Sequence, residues 1–146
     1  MTHVVAFDNT PLSRAALRRA VRYGRAAGED VVAVTAIQRS SQVAREKGWL
    51  GGDETFDEET VVRNLTEVVT AVDPDVGFEY RMVDQYAPRG RVSRAVRELA
   101  VEADATVVFI GSDNAGRMVG GIASVGQNVS ADDRYDVHIV RHADGA

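Results

Sequence analysis

The segment Gly111-Ser112-Asp113-Asn114-Ala115-Gly116-Arg117 holds the residue types that can cradle an anion. Gly111, Asn114 and Gly116 tolerate left-handed backbone conformations, and small side chains let main-chain N–H groups close on a phosphate. Ser112 adds a hydroxyl, and a helix after the loop would turn its N-terminus towards the same anion. This is not a P-loop, which needs lysine followed by Ser or Thr; the stretch has no lysine. The plainer reading is a glycine-rich loop that only turns the chain. Asp8 is the second candidate, as an acceptor facing a ligand; its plainer role is to cap the turn before Pro11. Arg117 would neutralise a phosphate or stay solvated.

Other chemistries find no residues. His138 and His142 stand four apart, but on the last strand and in the tail rather than on one helix, and cysteine is absent, so no metal site is expected. No serine sits in a G-x-S-x-G elbow, and the PP-loop and HIGH patterns of nucleotide-cleaving folds are missing. No catalytic residue is named.

The elements that would position these residues alternate. Val4 to Phe7, Val31 to Ile37, Gly77 to Val83, Ala105 to Ile110 and Val137 to Val140 read as five buried strands. Thr10 as N-cap with Pro11 behind it starts a helix that Gly28 ends. Thr55 and Glu58 form an expected capping box before a helix carrying Val61, Leu65, Val68, Val69 and Val72. Pro88 and Gly90 precede a third helix with Val92, Val96, Leu99 and Ala103 on one face. A short fourth helix is expected around Ile122 to Val129. Residues 38–56 form a long polar connection, with Trp49 and Leu50 stranded in it, serving as a binding loop or a mobile insertion.

Strand–helix alternation with uninterrupted apolar strands implies an α/β fold, a parallel sheet with helices on both faces. Ligands in such sheets sit at the carboxyl ends of the strands, where strand order reverses. The residues there are Asp8, Gln38, Asp84, Gly111 and Arg141.

The 146 residues form one expected domain, 1–146. A net charge of −5 argues against nucleic-acid binding. No apolar run approaches the length of a membrane span and no signal peptide is read, so a cytoplasmic location is expected. Lys47 is the only lysine among 17 basic residues.

Nearly the whole chain resembles the universal stress protein family. The resemblance rests on Val5-Ala6-Phe7-Asp8 followed by Ser13 and an Ala-rich helix, and on Ala103-Asp104-Ala105-Thr106-Val107-Val108-Phe109-Ile110-Gly111-Ser112. Ser124-Val125-Gly126-Gln127-Asn128-Val129, ahead of Asp136-Val137-His138-Ile139-Val140-Arg141, completes it. It implies a Rossmann-like, adenine nucleotide alpha hydrolase-like sheet of order 3-2-1-4-5, in which Asp8 and Gly111 face one crevice. ATP-binding members carry G-x2-G-x9-G-(S/T) after the fourth strand. Here Gly111 and Ser112 match the start, Asn114 and Ala123 replace the second and third glycines, Ser124 keeps the hydroxyl, and the loop is one residue shorter. Asp8 matches the acidic residue that contacts the nucleoside, and Ala36 falls beside the adenine. The implied site for ATP or another adenine nucleotide is therefore Asp8, Ala36, Gly111, Ser112, Asn114, Gly116 and Ser124, with a degraded phosphate cradle.

The resemblance implies a non-enzymatic stress-response protein. It also implies a homodimer paired through the last strand, Val137, His138, Ile139 and Val140, with an unidentified protein partner. One alternative is a purely structural dimer module that has lost nucleotide binding. Another is a response-regulator receiver, which Asp8, Asp84 and Ser112 mimic; it would need an acid where Asn9 stands and a lysine at the end of strand five.

Overall fold

The computed structural model describes residues 1–115 and 134–143. Five parallel strands, β1 (Thr2–Ala6), β2 (Asp30–Gln38), β3 (Gly77–Val83), β4 (Ala105–Gly111) and β5 (Asp136–Val140), lie in the order β3-β2-β1-β4-β5. This is the Rossmann-like order expected from the sequence. Val4 pairs with Val32 on one side and Val108 on the other, so β1 is the central strand and is buried on both faces.

Helix α1 (Pro11–Ala27) starts as expected, with the Thr10 side chain accepting from the Ser13 N–H and Pro11 in the first turn. It stops at Gly28, where φ is 69° and the N–H returns to the Arg25 and Gly24 carbonyls. That left-handed position suits glycine. The buried residues of α1, among them Leu17 and Ala20, pack with Val61, Leu65 and Val69 of α3 (Glu58–Val72) on one face of the sheet. Val96, Leu99 and Ala100 of α4 (Arg89–Glu102) cover Val4, Val34 and Val108 on the other.

Three sequence expectations need correction. Residues 38–56 are not an open loop: Ser40 caps a six-residue helix, α2 (Ser41–Glu46), by accepting from the Val43 N–H. Trp49 and Leu50 behind it are core residues, 1% and 7% exposed. The capping box of Thr55 and Glu58 does not form, because Asp57 is the N-cap and its carboxylate accepts from both the N–H and the hydroxyl of Thr60. The receiver alternative fails on topology. A receiver has strand order 2-1-3-4-5, with strands one and three adjacent. Here β3 is an edge strand, and the exposed Asp84 carboxylate accepts from the Tyr86 N–H.

Candidate functional site

The chain leaves β1 under tight control. The Phe7 N–H donates to the Val34 carbonyl, and the buried Thr35 hydroxyl donates to the Phe7 carbonyl at 2.6 Å. Asp8 is thereby set at the carboxyl end of the central strand, its side chain 13% exposed. One carboxylate oxygen, Oδ1, accepts from the Thr10 hydroxyl at 2.7 Å and the Thr10 N–H at 3.2 Å. The other, Oδ2, accepts from Lys47 Nζ at 2.7 Å and from Asn114 Nδ2 at 3.0 Å. Burial pushes the Asp8 carboxyl upward, yet Lys47 and the bonds from Lys47 and Thr10 outweigh it and hold the group below the usual range. Asp8 is an anion at neutral pH.

Residues 41–56 form a strap that is fastened to the same corner. The Trp49 indole N–H donates to the Asp8 carbonyl at 3.0 Å. Asn9, at a φ of 66°, donates from Nδ2 to the carbonyls of Lys47 and Gly48. Arg14 in the first turn of α1 donates to the Asn9 carbonyl at 2.5 Å. Asn64 of α3 then holds the Trp49 carbonyl at 2.9 Å.

Beside Asp8 opens a small cleft. Ala6, Phe7 and Ala36 line it from the ends of β1 and β2, Ile110 from β4, and Val92 and Val96 from α4. Asp8 and Asn114 supply its polar groups. Of the sequence-predicted residues, Asp8, Ala36 and Asn114 are thus brought onto one pocket.

The remaining candidates are placed differently. A Cβ on Gly111 would lie 2.7 Å from Leu12 Cβ and 2.8 Å from Asp113 Oδ1, so glycine here lets β4 approach the first turn of α1. The Ser112 N–H donates to the Val140 carbonyl at 2.9 Å, tying the loop to β5. The Asn114 N–H donates to the Gly111 carbonyl at 2.9 Å and closes a turn. Both amides are bonded within the fold rather than turned to a ligand. Gly116, Arg117, Ala123, Ser124 and the expected helix at Ile122 to Val129 lie outside the described residues.

The histidines are dispersed. His3 is buried with Nε2 2.6 Å from Glu29 Oε2. His138 stacks on Phe109 with ring centroids 4.9 Å apart and meets Tyr23 edge-on. Among the described residues no group of three His, Cys, Asp or Glu side chains could hold a metal ion.

Sequence reasoning missed Lys47, Trp49 and the α4 valines as parts of this site. Lys47 lies 39 residues from Asp8, and no local pattern links the two. The adjacent large apolar pair Trp49-Leu50 in a polar stretch was the available signal that the segment folds back onto the core.

No protein-family model matches the chain, and no curated protein matches it. Solved structures do. A universal stress protein in complex with cAMP aligns over 97% of this chain and 97% of its own, with 26% identity and a TM-score of 0.54. A universal stress protein from Archaeoglobus fulgidus aligns over 97% of this chain and 93% of its own, with 16% identity and a TM-score of 0.58. The universal stress protein from the same organism in complex with dAMP aligns over 96% of both chains, with 19% identity and a TM-score of 0.54. The chain shares the fold of these universal stress proteins. Its five-stranded sheet is the Rossmann-like, adenine nucleotide alpha hydrolase-like sheet of that family, and the Asp8 cleft lies at the end of the sheet where that fold takes its ligands.

Proposed function

We propose that this protein is a non-enzymatic, cytoplasmic stress-response regulator of the universal stress protein kind that binds an adenine nucleotide, ATP among them, in the Asp8 cleft. The carrying observation is the cleft itself, apolar walls from Ala36, Val92, Val96 and Ile110 beside one ionised, hydrogen-bonding carboxylate. Apolar walls suit a flat base, and Asp8 suits a ribose hydroxyl. A base would lie against these walls with its ribose at Asp8, and phosphates would extend past Asp8. Relatives of the same fold bound to cAMP and dAMP support this reading.

Binding is expected to be weak, because the Ser112 and Asn114 amides are already bonded. Calorimetric titration with ATP, AMP and cAMP tests the proposal. Heat that saturates, and that disappears in Asp8→Ala, supports it. Flat titrations with all three would instead favour a structural dimer module without nucleotide, a reading that has its own observation: both Asp8 oxygens already hold two donors each.

We further propose that two copies pair through β5, whose Ile139 is 38% exposed on an edge strand. An apolar edge invites association, and a twofold contact of this kind would be isologous.

A further inference from the structure

We infer that Lys47 sets the charge preference of the Asp8 cleft and makes it select a phosphorylated nucleotide over the neutral nucleoside. This rests on the cleft being a nucleotide site. Asp8 is a fixed negative charge at its mouth, and a phosphoryl group reaching past the ribose would meet it as a like charge. The loop segment Gly111 to Ala115 supplies no cation to offset that charge and adds a second acid, Asp113. Among the described residues only Lys47 forms an ion pair with Asp8, with Nζ 2.7 Å from Oδ2.

Lys47 is held as a built part of the site. It follows α2, and its own carbonyl accepts from Asn9 Nδ2 at 3.1 Å. The next residue, Gly48, turns at a φ of 72°, and the one after, Trp49, is anchored in the core and on the Asp8 carbonyl. The backbone is therefore fixed on both sides, whereas the Lys47 side chain keeps 27% of its surface in solvent. A flexible stem on a fixed base can trade one anion for another. A ribose hydroxyl that takes up Asp8 Oδ2 displaces the ammonium, which then has a phosphate within reach of the same mouth. A neutral nucleoside offers no such second partner, so its entry separates the Lys47–Asp8 pair without replacement.

The test is the ratio of AMP to adenosine affinity, measured by calorimetry on the full chain as wild type, Lys47→Met and Lys47→Arg. Wild type should prefer AMP by about tenfold, roughly 1.4 kcal/mol. Lys47→Met should bring the two affinities within about twofold, and Lys47→Arg should restore the preference by restoring the charge. If Lys47→Met does not fold, Lys47→Gln is the second uncharged variant, and the wild-type ratio still tests the inference. A folded uncharged variant that keeps the preference overturns this inference alone, as does a wild type that binds AMP and adenosine equally. A wild type that binds neither overturns the nucleotide reading of the cleft and this inference with it.

Discussion

The indole N–H of Trp49 donates to the backbone carbonyl of Asp8 at 3.0 Å, so the residue that fills the core also fixes the residue that faces the cleft. Trp49 is 1% exposed. Truncating such a side chain removes its packing and leaves the Asp8 carbonyl without a donor. Trp49→Ala should cost about 3–5 kcal/mol, a large part of the roughly 5–15 kcal/mol that holds a domain folded. Trp49→Phe keeps most of the bulk and should cost about 1–3 kcal/mol for the orphaned carbonyl. Urea unfolding followed by circular dichroism measures both. A Trp49→Phe variant as stable as wild type would show that the hydrogen bond contributes nothing.

Acid should act on the same corner. The Asp8 carboxyl is held below its ordinary value of 3.8, so its contribution to stability is fully present above about 4 and is lost as pH falls through the lower folded-state value. Melting temperature followed from pH 6 to pH 2.5 should fall less steeply below pH 4 in Asp8→Asn than in wild type. Parallel curves would mean that the Lys47–Asp8 pair does not couple to folding.

His138 should give a second, gentler acid limb. Burial, and then the nearby Arg19, depress its proton affinity below the ordinary 6.5. The unfolded chain therefore takes up the proton first, and stability that is complete above about 6.5 declines as pH falls through the folded-state value. His138→Gln should flatten the melting-temperature profile between pH 7 and pH 5. A variant profile as steep as wild type would assign that limb to another group.

Legibility of this chain in its sequence tracks the range of the interactions. The strands were readable because burial on both faces leaves uninterrupted apolar runs such as Val107-Val108-Phe109-Ile110, and α1 because Thr10, Pro11 and Gly28 act locally. Helix α2 is too short for its apolar period to show, with Ala44 its one buried residue. At α3 two capping residue types, Thr55 and Asp57, stand two positions apart, and only the observed hydrogen bonds to Thr60 show that Asp57 is the cap. Asp8 and Ala36 came from the resemblance and the strand ends. Lys47 could come from neither, since its partner is chosen by the strap's path across the sheet end.

Gly111 should be intolerant of any side chain. Gly111→Ala places a methyl group 2.7 Å from Leu12 Cβ, so the end of β4 or the start of α1 must move. Overpacking of this kind costs about 1–3 kcal/mol. Thermal melting should register it, and an unchanged melting temperature would show that the first turn of α1 yields freely.

Ile139→Lys should convert a dimer to a monomer in light scattering with circular dichroism unchanged, because Ile139 is exposed in the folded chain. A variant that remains dimeric places the interface away from β5.

The strap couples the cleft to the hydrophobic core, with Lys47 on the Asp8 carboxylate and Trp49 buried beneath it, and this bears on how such a protein can diverge. Substitutions near Lys47 and Trp49 that alter what the cleft accepts also loosen the packing beneath it, and a marginally stable domain tolerates few such changes. On the α4 wall Val92 carries less of that burden, because it is only half-buried, unlike Val96 beside it. Among descendants of this chain, new ligand preferences should therefore arise first at Val92, with the strap inherited nearly intact.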